Sequence, residues 1–280
     1  MFSEADAAEL AQSKNLITIG VKADEVRRRL HGARTTFVRV FEIHVDAAVT
    51  TLPPRTSAGE FRIAGSPTSL QAAAEAVRRA KVLAGNVPLT GFSIGELLHF
   101  EGASSLRDSC EMLRQAGLAG IAEVPIDALE DPVATITTAR DAGLLVTRLT
   151  VNESRDHDRG EIARRARDLQ DSIGGFRAFA PLPRVVSIAS PTTGYDDVKQ
   201  IALARLIADN IESIQVDWQL YGPKLAQFAL TVGADDVDSV AAVDPGTLGS
   251  RRSPLEEIRG NIKSAGLEPV ERNGRFEAIV

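Results

Sequence analysis

Glu96 and His99 lie three residues apart in GFSIGELLHF, and Glu42 and His44 alternate at the end of TTFVRVFEIHV. A carboxylate and an imidazole on one helix face could work as general acid and base, and His44 could join them on a metal. Asp127 is a further carboxylate candidate of the same kind. Each also has a plainer use: Glu96 can cap a helix, His99 can pack against its neighbours, and His44 can close a strand. GADDVD offers Asp235, Asp236 and Asp238, a hard-cation set in isolation and equally a strand element. WQLYGPK sets Trp218 near Gly222 and Pro223, which suits an aromatic wall with backbone N–H donors for a polar ligand. A packed tryptophan explains the same residue.

The only cysteine, Cys110, excludes an intrachain disulfide and any all-cysteine metal site. It stands in the helical pattern SLRDSCEMLRQAG, where it reads as a small buried hydrophobe or as a reactive thiol. The chain has neither a glycine-rich phosphate loop nor a Gly-x-Ser-x-Gly elbow. No metal site is expected.

The elements that must position these residues alternate along 280 residues, of which 44% are hydrophobic and 25% charged, a composition that supplies a sizeable core. TTFVRVFEIHV, EFRIAG, VPLTGFS, LAGIAEV, LLVTRLTV, FRAFAPL, ESIQVDW and ADDVDSV read as strands. Helices are expected over 69–83, around 106–115, 132–142, 158–173, 198–210 and 223–232. Strands separated by helices imply parallel pairing with right-handed crossovers. The fold class is therefore α/β, a TIM-like (β/α) barrel, partial or with a shortened first βα unit, and an open doubly wound sheet is the alternative. One barrel domain is expected over 1–280, with an N-terminal helix at about 16–31 and a C-terminal helix plus hairpin at about 253–280.

A barrel carries its ligand face at the C-terminal strand ends. That places Glu42, His44, Gly65, Ser66, Ser93, Glu96, Glu123, Asp127, Thr150, Asn152, Asp217 and Trp218 among the candidates. Gly65, Ser66, Asn152, Trp218 and Gly222 are the expected ligand-binding set, and Glu96, His99, His44 and Asp127 the catalytic one.

A net charge of −6 argues against binding nucleic acid or an anionic membrane. Of the basic clusters Arg27–Arg29, Arg164–Arg165 and Arg251–Arg252, two lie in apparent helices with acidic neighbours and read as solvated faces, and no ligand is assigned to any of them. MFSEADAAELAQSKN has no basic segment followed by an apolar core, and nothing approaches the ~20 apolar residues of a membrane span. A cytoplasmic protein without membrane insertion is expected.

The words LQDSIGGFRAFAPL, TTGYDDVKQIALARLIADNI, WQLYGPKLAQFALTVGADDVDS and SPLEEIRGNIKSAGLEPVERN carry a resemblance. They resemble the radical S-adenosylmethionine enzymes of the futalosine route to menaquinone, aminofutalosine synthase and dehypoxanthine futalosine cyclase, with the deazaflavin cofactor synthase as a cousin. ADEVRRRLHGARTTFVRV resembles the segment leading into the family's cluster strand. Where the family then carries Cys-x3-Cys-x2-Cys, this chain runs FEIHVDAAVTTLPPRTSAGEFRIAG, without cysteine and without a first crossover helix. The family's glycine-rich turn stands here as Ala64-Gly65-Ser66-Pro67, and its later glycine run as Glu123-Val124-Pro125.

Such a cluster needs three thiolates to hold three irons while the fourth iron binds S-adenosylmethionine. No [4Fe–4S] cluster is expected, and S-adenosylmethionine binding is not expected to survive. The resemblance implies a non-catalytic relative that acts as partner or scaffold of a catalytic radical paralogue or another menaquinone-pathway protein. Two alternatives stand beside it: a binding protein or sensor for a futalosine-type nucleoside, and an enzyme with cluster-independent chemistry in the barrel mouth.

Overall fold

The computed structural model describes residues 12–13, 15–153, 159–185, 192–246, 249 and 253–279. The β-branched and aromatic runs form β1 (Arg34–His44), β2 (Glu60–Ala64), β3 (Leu89–Ser93), β4 (Gly120–Glu123), β5 (Arg148–Val151), β6 (Ala178–Pro183), β7 (Ser213–Asp217), β8 (Asp236–Ala241) and β9 (Glu268–Glu271). The helices are α1 (Leu16–His31), α2 (Leu70–Ala84), α3 (Ile94–Leu97), α4 (Leu106–Ala116), α5 (Pro132–Asp141), α6 (Arg159–Ile173), α7 (Gly194–Ile207), α8 (Trp218–Ala229) and α9 (Pro254–Ser264).

The sheet runs β4-β3-β2-β1-β8-β7-β6-β5, with every adjacent pair parallel. Its two edges meet through the bridges Gly120–Leu145 and Pro125–Thr150, so the eight strands form a nearly closed TIM-like barrel. Six crossovers carry helices. The first does not: residues 45–59 pass from β1 to β2 without one. That connector is tied down near its end, where Ser57 N donates to Ala242 O and Gly59 N to Arg39 O, both at 2.9 Å. β9 joins the start of β1 in parallel, and beyond it Arg272 and Ala278 form an antiparallel bridge around a tight turn.

Two expected helices differ in detail. The segment after β3 is split into α3 and α4, because Glu96 folds back to cap α3 and Gly102 turns the chain at φ 82°. α8 starts at Trp218 and breaks at Gly222 (φ 75°, ψ 167°), where the helix restarts on Pro223.

The apolar core lies between barrel and helices. α7 is buried on every side from Asp197 onward, with α1 packed across its outer face. One basic cluster departs from its expected role. Arg27 is fully buried, donating to Asp24 Oδ1 at 2.9 Å and Gly32 O at 3.3 Å, while Arg28 and Arg29 are exposed. The solvated-face reading therefore fails at Arg27, where a carboxylate and a helix-end carbonyl replace water. Arg251 and Arg252 lie outside the described residues. Among the described residues no helix is long and apolar enough to cross a membrane.

Candidate functional site

The barrel interior holds charge where strand alternation would ordinarily place aliphatic layers. From β2, Arg62 donates to Glu60 at 2.8 Å and to Asp238 at 2.9 Å. Arg148 of β5 reaches the other oxygen of Asp238, and Arg272 grips Asp236 with two bonds of 2.6 Å. All are buried. A buried charge persists only when paired and hydrogen-bonded, and this lattice supplies the partners. Burial alone would lower the Arg62 pKa, but Asp238 and Glu60 reverse that and raise it well above its ordinary value. Burial would likewise raise Asp238, yet Arg148 and Arg62 hold it well below the usual carboxylate range.

A bulge in β8 builds this arrangement. Phe37 pairs with Val237 and Arg39 with Val240, so Val38 faces both Asp238 and Ser239. Ser239 takes φ 58°, and its hydroxyl donates to Asp217 Oδ2 and accepts from Arg62 Nη1, both at 2.9 Å. A serine in the left-handed region is strained, and these two bonds hold it there.

Above the lattice, at the C-terminal strand ends, opens a cleft of about 360 Å³. Glu42, Gly65, Ser66, Ser93, Glu96, Glu123 and Asp217 line it, together with Arg62, Arg184 and the apolar Ile63, Phe92 and Leu220. Arg184 spans Glu123 and Asp217 at 3.0 Å each. Burial depresses its pKa, but Glu123 and Asp217 outweigh that and raise it. Glu96 Oε1 accepts from the Ser66 hydroxyl at 2.6 Å, and Oε2 from Ser93 N at 3.0 Å. Phe92, at φ 60°, is a second strained residue on the cleft wall.

The residues singled out for catalysis are not brought together. Glu96 faces the cleft, but His99 is exposed beyond the end of α3. His44 sits on the rim with its side chain 58% exposed. Its ring covers Gly65, where a Cβ would fall 2.5 Å from Nε2. Gly65 thus serves the approach of His44 as well as its own φ of 88°. Asp127 accepts from Asn152 N and Glu153 N at 2.7 and 2.8 Å, and lines a separate cavity with Asn152. Trp218 packs half-buried against the core, and neither it nor Gly222 lines the cleft. Asp235, Asp236 and Asp238 are buried ion-pair partners, Asp235 pairing with Arg205 and, at 3.3 Å, His31. Their side chains are occupied by arginine, which favours the strand-element reading.

Sequence reasoning misses the arginines of the lattice. Their signal is a charged residue in the middle of an apolar strand, Arg62 in EFRIAG and Arg148 in LLVTRLTV, matched by the aspartates of β8.

The family resemblance implies an iron–sulfur cluster on the connector after β1, and the donors there do not fit one. Residues 45–59 contain no cysteine. Cys110 is buried in α4, where burial pushes its thiol up to about 11, a packed thiol and not a ready thiolate.

Comparison with known proteins places this geometry among relatives. Residues 177–279 match the CofH/MqnC C-terminal region. The aminodeoxyfutalosine synthase of Streptomyces coelicolor is 30% identical over 245 residues, covering 72% of this chain and 63% of that protein. Its counterpart from Thermus thermophilus is 26% identical over 347 aligned positions, covering 98% of this chain and 91% of that one. This chain thus spans less than two thirds of the Streptomyces relative in that alignment. An alignment of 347 positions also requires gaps in a chain of 280 residues. The crystal structure of methylornithine synthase superposes with a TM-score of 0.63 at 14% identity, covering 95% of this chain and 94% of that one, a likeness of fold.

Proposed function

The chain is a relative of the futalosine-pathway radical S-adenosylmethionine enzymes, and on that premise we propose that it serves menaquinone biosynthesis without radical chemistry. Its role is that of a non-catalytic cytoplasmic protein, partner or scaffold to a catalytic member of the route. The observation that carries this reading is the first crossover. Radical initiation in this family's manner needs three thiolates on the loop after β1, and residues 45–59 present none. The family match over 177–279 supports the kinship on which this reading rests.

Anaerobic reconstitution with iron and sulfide, followed by metal analysis, tests the first half. The expected result is no stoichiometric iron, and a cluster with bound S-adenosylmethionine would sink the reading. Affinity purification from the native host tests the second half. A catalytic radical paralogue or another pathway protein is expected to co-purify in stoichiometric amount, and a partnerless monomer at cellular concentration would remove the scaffold role.

A second reading is favoured by the open cleft, which combines apolar walls with convergent polar groups as small-molecule sites do. In this reading the chain holds or senses a small polar compound such as a futalosine-type nucleoside. A ligand at ~100 times its dissociation constant would stabilise the fold by about 2.7 kcal/mol, so thermal-shift assays with such nucleosides check it. Flat melting curves at saturating concentration would reject those ligands.

A further inference from the structure

We propose that the barrel-mouth cleft selects a flat ring bearing amino or amidinium donors and refuses a carboxylate or phosphate in the same place. This rests on the cleft being a ligand site, the second reading above. Ile63, Phe92 and Leu220 supply apolar walls against which a ring can lie.

The charges around those walls are unequally free. Among the described residues Arg62 and Arg184 are the only cations of the lining, and both are already bracketed. Arg62 lies between Glu60 and Asp238, and Arg184 between Glu123 and Asp217. An incoming anion would have to displace a carboxylate from a guanidinium it already holds. The remaining nitrogen of Arg184, Nη2, has no partner among the described residues and is withdrawn from solvent, so it offers no exposed N–H to an incoming anion. The start of α8, otherwise a natural anion site, is occupied as well, since Asp217 accepts from Gln219 N and Leu220 N at 2.9 Å.

Two carboxylates of the lining are left without a cation among the described residues. Glu42 makes no hydrogen bond or ion pair there and is exposed to the cleft. Glu96 receives only neutral donors, the Ser66 hydroxyl and the Ser93 N–H. A group that brings N–H donors, neutral or cationic, completes both. Anionic groups meet unbalanced negative charge instead.

Benzamidine, benzamide and benzoate share a ring and differ in the charge of its head group, so they isolate the selection. Two-dimensional NMR titration of the full chain reads the amides of Gly65, Ser66 and Ser93. Benzamidine is expected to move these amides and to bind at least about tenfold more tightly than benzoate, as one charge-assisted hydrogen bond would give. Glu42→Gln, an exposed substitution, is expected to weaken benzamidine about tenfold without changing the melting temperature. Glu96→Gln keeps an acceptor for Ser93 and is expected to weaken it similarly. Benzoate binding as tightly as benzamidine at these amides would overturn the charge selection and leave the ligand site standing. Benzamidine binding indifferent to both substitutions would overturn it too. If none of the three compounds moves these amides, the ligand-site reading falls with it.

Discussion

The barrel interior and the first crossover sit next to each other on β1 and β2, and they obey opposite rules. Inside, Arg62, Arg148, Arg272, Asp236 and Asp238 are withdrawn from water and fully paired. In the crossover, Thr51 to Arg55 are all exposed, and the path is fixed by a few backbone bonds near residues 57–59. Interior charge is therefore held in pairs by residues distant in sequence, while the middle of the first crossover turns its side chains to solvent.

Breaking the comparison at its strongest point means removing Asp238. Asp238→Asn leaves Arg62 and Arg148 buried without their shared carboxylate and is expected to cost roughly 3–5 kcal/mol in denaturant unfolding. The pH dependence sharpens the same point. The folded pKa of Asp238 lies below its unfolded value, held down by Arg148 and Arg62 against the effect of burial. Its contribution is therefore present above the unfolded pKa and lost as pH falls through the folded one. Wild-type stability should decline into acid through that window, and the Asp238→Asn chain should lack this part of the decline. A variant as stable as wild type at neutral pH would mean that the lattice is dispensable.

The smallest effect is expected at the other pole. Replacing Thr51 and Leu52 by serine, with Pro53 and Pro54 kept, alters exposed side chains only and should change stability by less than about 0.5 kcal/mol. A loss of several kcal/mol would show that the first crossover holds the barrel together, and the contrast would fail.

Much of the site is legible in the amino-acid order. Strand alternation marks the C-terminal strand ends, and with them Glu42, Gly65, Ser66, Ser93, Glu96, Glu123 and Asp217 as candidates. Their convergence on one cleft is not legible there. The spacing of Glu96 and His99 suggests a helical pair, but α3 is a single turn in which Glu96 caps its own start. Local hydrogen bonding overrides periodicity. Gly65 reads as a turn residue, and the ring of His44 pressed against it is a contact between β1 and the end of β2 that no local pattern encodes.

By itself the sequence determined the order of strands and helices, the lack of cysteine in residues 45–59 and the kinship of the C-terminal words. These depend on composition and on periods of two and 3.6 residues, which are local properties. Only the tertiary structure decided which carboxylates are free. Asp217, Asp236, Asp238 and Glu123 are paired with arginines distant in sequence, two of them on strands and two just past strand ends, and Glu42 and Glu96 have no cation among the described residues. The β8 bulge at Ser239 and the curvature of the barrel bring those partners within hydrogen-bond distance. Pairing of charges is a matter of distance in space, and distance across a closed sheet is set by register, which the chain acquires only on folding.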